Sequence, residues 1–174
     1  MARQIWLLRH AEAEPHGSRE DSARQLTARG GAQSRAAGAA LLALGATFEA
    51  ILYSPKARAR ETAELALEGF QRAARESASA HEPLAGGFDA AAALELGTAL
   101  SPDGRLLLVG HEPDLSTVVA QLTGARIDLK KGGLAVVRLE GGGGELVVLL
   151  RPRELALIAE GAAVSSGAGV SALG

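Results

Sequence analysis

Ile5-Trp6-Leu7-Leu8-Arg9-His10 is a short apolar run that stops abruptly at two basic residues. Such a run predicts a buried strand over residues 3–9. What that strand delivers is chemistry. Arginine presents a planar fork of donors matched to phosphate oxygens, and neutral imidazole can accept a phosphoryl group. Two further apolar runs end in phosphate-compatible residues. Residues 48–53 read as a strand leading into Ser54-Pro55, and Leu106-Leu107-Leu108-Val109 leads into Gly110-His111.

Helical patterns separate these runs. Residues 10–25 read as a polar loop, after which Leu26 is a hydrophobic staple and Thr27 an N-cap. The helix continues through Ala36, Ala40, Leu41 and Leu44 and is expected to stop at Gly45. Gly30 and Gly31 each cost about 1 kcal/mol relative to alanine, which predicts close packing or an irregular first turn. Ser54 reads as the N-cap and Pro55 as the first residue of a second helix. Its apolar face is Ala59, Ala63, Ala66, Leu67 and Phe70. Residues 72–86 show no single period, and 89–100 read as a helix. Another helix begins at Pro113, with Leu115, Val118, Val119 and Leu122 on one face. Residues 134–139 and 145–150 flank four glycines at 141–144 and predict a β-hairpin. No Lys-Ser/Thr follows those glycines, so they read as a turn and not as a phosphate loop. Alternating strands and helices imply a three-layer α/β/α domain with a mainly parallel central sheet and a C-terminal β-hairpin. Ligands of such sheets sit beyond the carboxyl ends of the strands.

Composition bounds the rest. The chain has 174 residues, 47% hydrophobic and 22% charged, which fits one globular domain. Residues 1–160 are expected to form that domain, and 161–174 a small-residue tail, partly disordered. A net charge of −2 gives no overall basic field for nucleic acid or acidic membranes. The absence of cysteine excludes disulfides and a thiolate nucleophile. The apolar run after Arg3 is too short for a secretory leader, and no stretch is long enough to span a bilayer. The chain is therefore expected to be cytoplasmic.

Each candidate site residue has a plain alternative. A single histidine at a strand end is usually a hydrogen-bonded structural group, and a single arginine is usually solvated or ion-paired. Arg58 and Arg60 are two residues apart and point to different sides, so at most one serves a shared pocket. Arg58 lies in the first turn of its helix, where the dipole already favours an anion, and is chosen. His16 and His81 lie in loop-like surroundings and read as structural or incidental. Metal binding is a competing use for His10 and His111, with Glu12, Glu14, Glu82, Glu112 and Asp114 as oxygen ligands. No histidine pair has the helical spacing of a zinc motif, and two arginines would repel a cation.

The motifs together carry a resemblance. Leu8-Arg9-His10-Ala11-Glu12 resembles the Arg-His-Gly opening of the histidine phosphatase (phosphoglycerate mutase-like) superfamily, with alanine for glycine. Ser54-Pro55-Lys56-Ala57-Arg58-Ala59-Arg60-Glu61-Thr62-Ala63 is similar to its Ser-Pro-x-x-Arg-Ala-x-x-Thr-Ala block. Val109-Gly110-His111-Glu112-Pro113 is similar to its distal histidine block, and Leu26-Thr27-Ala28-Arg29-Gly30 to its Leu-Thr-x-x-Gly segment. These blocks span residues 5–120. Short connections and Asp21-Ser22-Ala23-Arg24 ahead of Leu26-Thr27 most resemble the SixA-type phosphohistidine phosphatases. Mutase members usually follow the catalytic histidine with Ser and Asn, whereas Ala11-Glu12-Ala13-Glu14 stands here.

The resemblance implies a phosphoglycerate mutase-like fold and a phosphatase that needs no cofactor. It makes His10 the nucleophile, with Arg9, Arg58 and His111 holding the phosphoryl group. Asp21, Glu82 and Glu14 are the candidates for a general acid, or there is none, and the sequence does not choose among these; a missing acid fits a phosphohistidine substrate. An imidazole leaving group needs less help than an alkoxide, because it departs neutral once its other nitrogen is protonated. The substrate is thus expected to be phosphohistidine on a protein. The alternatives are a small phosphate ester or a phosphate-binding module without turnover. The sequence leaves the oligomeric state open.

Overall fold

The apolar runs become the middle of one sheet. A computed structural model describes residues 2–168. Its strands are β1 (Gln4–Arg9), β2 (Ala50–Tyr53), β3 (Ser79–Ala80), β4 (Arg105–Gly110), β5 (Leu134–Glu140) and β6 (Gly143–Leu150). They lie in the order β3-β2-β4-β1-β5-β6. The β3-β2, β2-β4 and β4-β1 pairs are parallel, whereas β1-β5 and β5-β6 are antiparallel. The helices are α1 (Ala28–Ala43), α2 (Ala57–Ala66), α3 (Arg72–Ser77), α4 (Ala90–Thr98), α5 (Asp114–Thr123) and α6 (Pro152–Ala168).

Period-two alternation sends each central strand into two cores. Trp6, Leu8, Leu107 and Val109 face a layer containing Ala40 and Leu41 of α1, Ala59 and Ala63 of α2, and Leu155 of α6. Ile5, Leu7, Leu106 and Leu108 face Ala93 of α4 and Leu115, Val118 and Val119 of α5. Burial on both faces is why β1 and β4 read as unbroken apolar runs. Among the described residues, no helix is long and apolar enough to cross a membrane.

Several local expectations change. Thr27 does cap α1, accepting from the Gly30 amide, but Ser54 does not cap α2. The chain needs two more residues after β2 before turning helical, so Lys56 is the cap position and α2 starts at Ala57. Of the two early glycines in α1, only Gly30 is demanded by packing: a Cβ there would lie 1.9 Å from the Glu12 carbonyl oxygen. At Gly31 the nearest atom would be at 3.6 Å. Gly143 and Gly144 belong to β6, paired with Glu140 and Leu139, so the hairpin turn is the Gly141-Gly142 pair. Residues 72–86 resolve into α3, the two-residue strand β3 and a short 3-10 turn at Glu82–Ala85. Residues 161–168, expected as the start of a tail, continue α6. The rest of that expected tail, 169–174, lies outside the described residues.

Candidate active site

Strand order fixes who meets whom. Because β4 lies between β2 and β1, the residue after β4 sits between the residues after its two neighbours. His111 therefore falls between Ser54 and His10. Its ring centroid is 5.1 Å from that of His10, and its Nε2 is 2.7 Å from Ser54 Oγ. Both histidines are buried, at 6% and 8% exposure. Arg58, on the first turn of α2, is 4% exposed. Arg60 turns outward and pairs with Glu64 at 3.7 Å, so only one of the two arginines enters the site.

The ring nitrogens of His10 are assigned by their partners. His10 Nδ1 lies 2.8 Å from the Ala11 carbonyl oxygen, which can only accept, so Nδ1 carries the proton. Nε2 is then left with its lone pair. Burial pushes His10 down to about 3, opposed by the Ala11 carbonyl and reinforced by His111, Arg58 and Arg9. The imidazole is neutral at pH 7. Ser54 Oγ accepts from the Lys56 amide at 3.3 Å and also bonds His111 Nε2, which fixes the orientation of the ring. His111 Nδ1 is buried without a hydrogen-bond partner. Burial, and next Arg58, push His111 down to about 4.

Both arginines are held through their Nη nitrogens, Arg58 through both, since its Nη2 also donates to the Asp21 carboxylate at 3.3 Å. Arg9 donates from Nη1 to the Leu129 carbonyl at 2.9 Å, and Arg58 from Nη1 to the Asp21 carbonyl at 2.6 Å. Arg9 Nε and Arg58 Nε are buried without a partner. Burial lowers both guanidinium pKa values, yet arginine keeps its charge at any ordinary pH. Two of the four predicted site residues, Arg9 and Arg58, thus carry an unused buried donor, and His111 an unused buried ring nitrogen. Buried donors without partners are rare, and these nitrogens lie together in one site, where a phosphoryl oxygen would satisfy them.

Asp21 is not built as an acid. Its carboxylate takes Lys56 at 2.9 Å, Arg24 at 2.7 Å and Arg58 at 3.3 Å. Hydrogen bonds from Lys56 and then Arg24 hold it well below the usual carboxylate range. It stays ionised and acts as the anchor of Arg58. Glu14 is also engaged, accepting from Arg19 and from the Gln25 amide, both at 2.9 Å. Glu82 begins the 3-10 turn at Glu82–Ala85.

Sequence reasoning missed two supports. Thr62 Oγ1 accepts from the Ala11 amide at 3.1 Å and donates to the Arg58 carbonyl at 2.7 Å, tying the chain after His10 to α2. Its place in the Ser-Pro-x-x-Arg-Ala-x-x-Thr-Ala block was the available signal. The Leu129 carbonyl behind Arg9 left no signal, because a backbone acceptor 120 residues away carries no side-chain identity. His16 is 88% exposed, and His81 sits edge-on against Phe88. Among the described residues, no three histidine, aspartate or glutamate side chains gather as a metal site would need.

Comparison with known proteins adds what geometry alone does not. The model of the histidine phosphatase superfamily, branch 1, matches residues 5–98, covering the Arg9-His10 and Ser54 to Ala63 blocks. A protein of uncharacterised function from Picosynechococcus sp. is 32% identical over 146 residues, 78% of this chain and 84% of its own. The structure of the protein histidine phosphatase SixA complexed with tungstate superposes with a TM-score of 0.77 at 25% identity. That match covers 87% of this chain and 99% of SixA. The alpha-ribazole phosphatase from Shigella flexneri shares the fold, with a TM-score of 0.62 at 18% identity over 86% of this chain and 96% of its own. The chain accordingly belongs to the histidine phosphatase superfamily, branch 1, and is a phosphatase.

Proposed function

We propose that this phosphatase removes phosphate from phosphohistidine on proteins, through a phosphohistidine intermediate at His10. The observation that carries the reading is the Nδ1 contact of His10 with the Ala11 carbonyl. It leaves Nε2 as the nucleophile. It also makes His10 a good leaving group, since the ring departs neutral when its phosphoryl bond breaks. In the first step Nε2 attacks phosphorus and the P–N bond of the substrate breaks. The substrate imidazole leaves neutral if its other nitrogen is protonated. In the second step water attacks the phosphoryl group on His10, both water protons remain with the phosphate released, and Nε2 regains its lone pair. Arg9, Arg58 and His111 hold the phosphoryl oxygens, and the first turn of α2 adds its dipole.

Two observations favour phosphohistidine over an ester. Asp21 is held as a carboxylate by three cations, so it does not supply the proton that an alkoxide leaving group needs. The superposition on SixA is also the tighter one, with a TM-score of 0.77 at 25% identity against 0.62 at 18% for the alpha-ribazole phosphatase. The test compares phosphate release from a histidine-phosphorylated protein with release from a panel of small phosphate esters. Faster turnover of the phosphohistidine protein is expected. Preferential turnover of the esters makes the chain a small-molecule phosphomonoesterase instead.

A further inference from the structure

Next to the site lies a surface that the reaction chemistry leaves unused. A cavity of about 410 Å³ is lined by Arg29, Gln33, Lys130, Arg151, Pro152 and Arg153. A second, of about 540 Å³, adjoins it through Lys130 and Arg151 and extends to Arg126. Together they form one groove with five cationic side chains. Its lining acids are Asp128 and Glu154, paired with Lys130 and Arg151 respectively. Arg29 pairs with Glu12 at 3.4 Å but remains 76% exposed. A chain with a net charge of −2 has thus concentrated positive charge along one groove.

The groove is built on the backbone that holds His10. The Gly132 amide lies 3.1 Å from the Arg9 carbonyl and 3.0 Å from that of His10, and Leu129 anchors the Arg9 guanidinium. Both residues flank Lys130 in the segment that forms the groove wall. On the opposite wall, Gln33 accepts from the Glu12 amide two residues after His10. A phosphohistidine presented to His10 would therefore bring the surface around it over these cations. Small-molecule pockets are mostly apolar with a few placed polar groups. This groove is instead lined mainly by long, exposed, charged side chains, which suit a protein surface.

We infer that the groove docks an acidic face of the phosphorylated protein, beside its phosphohistidine. This rests on the reading of the chain as a protein phosphohistidine phosphatase. Complementary charge of this kind acts chiefly on encounter rate and partner choice. Its contribution falls with ionic strength as the Debye length shortens.

Three substrates test it: a histidine-phosphorylated protein with carboxylates around its phosphohistidine, the same protein with those carboxylates changed to amides, and free phosphohistidine. The enzyme variant is Arg126→Glu/Arg153→Glu, at two exposed positions. Relative to free phosphohistidine, kcat/KM on the acidic protein should fall about tenfold in this variant, as expected for a removed steering charge. Wild-type kcat/KM should fall with added salt more steeply for the acidic protein than for its amide form. Equal salt dependence and an unchanged ratio, with the phosphoprotein still turned over, would overturn the docking surface and leave the catalytic reading standing. Turnover of esters but of no phosphohistidine substrate would overturn both. Stronger inhibition by a single-stranded oligonucleotide than by the unphosphorylated acidic protein would overturn it in favour of a nucleic-acid partner.

Discussion

Two regions of the molecule meet at Arg9 and contribute different things. The parallel half of the sheet delivers side chains: His10 after β1, Arg58 after β2 and His111 after β4. The segment leading into the antiparallel hairpin delivers backbone. Leu129 offers its carbonyl to the Arg9 guanidinium, Gly133 its carbonyl to the Arg9 amide, and Gly132 its amide to the carbonyls of Arg9 and His10. Reacting groups must be particular residue types, whereas a backbone strut can be supplied by almost any residue. The two regions should therefore respond differently to substitution.

The largest effect belongs to the proposed nucleophile. His10→Ala should lower kcat by roughly ten-thousandfold or more, as loss of a covalent nucleophile does in other enzymes. Acid-labile phosphate trapped on the wild-type chain should disappear in that variant. Label persisting on His10→Ala would move the intermediate to another residue. Next comes Arg58→Ala, which should cost roughly a hundred- to a thousandfold in kcat, the usual range for a lost transition-state donor. Arg58→Lys should rescue little, because a lysine cannot span the Asp21 carbonyl and a phosphoryl oxygen with one planar fork.

This difference between the regions also explains what could be read from the chain. β1 and β4 were legible because burial on both faces demands unbroken apolar runs. Arg58 could be separated from Arg60 because helical spacing puts them on different sides, and the structure buries one and exposes the other. Asp21 could not be read. Its partners Arg24, Lys56 and Arg58 converge only after folding, so a candidate acid became the carboxylate that anchors Arg58. Ser54 was read through its local spacing as a cap, whereas strand order pairs it with His111, 57 residues away. The whole of α6 was hidden because its small residues bear no strong period, although Leu155 supplies its buried anchor one turn after Pro152.

Acid should act on the side-chain region alone. His10 and His111 are held at about 3 and about 4 in the folded chain. A histidine in the unfolded chain titrates near about 6.5. The unfolded state thus binds more protons in the window between, so stability is complete above about pH 6.5 and declines as pH falls through it. At pH 5 each histidine should have cost about 2 kcal/mol, read from denaturant unfolding at pH 7 and pH 5. Asp21, whose folded pKa is depressed, contributes stability that is lost only at lower pH, outside this comparison. His111→Asn should remove about half of the pH 5 to pH 7 difference. A wild-type curve that stays flat would mean that both rings accept protons in the folded site.

The smallest effect, and the sharpest probe of the other region, is Gly132→Ala. Gly132 has φ +75°, a conformation that an L residue adopts at a cost of about 1–2 kcal/mol. Space is not the obstacle, since a Cβ there would meet Gln33 at 3.5 Å and Ala11 at 3.7 Å, ordinary contact distances. The variant keeps its amide and therefore keeps both hydrogen bonds to the carbonyls of Arg9 and His10. Stability should fall by about 1 kcal/mol in denaturant unfolding, while kcat stays within about twofold of wild type. A hundredfold loss of kcat at unchanged stability would break the distinction between the regions. It would mean that this backbone does more than support Arg9, and that the position of the Arg9 and His10 carbonyls sets the reactivity of His10 itself.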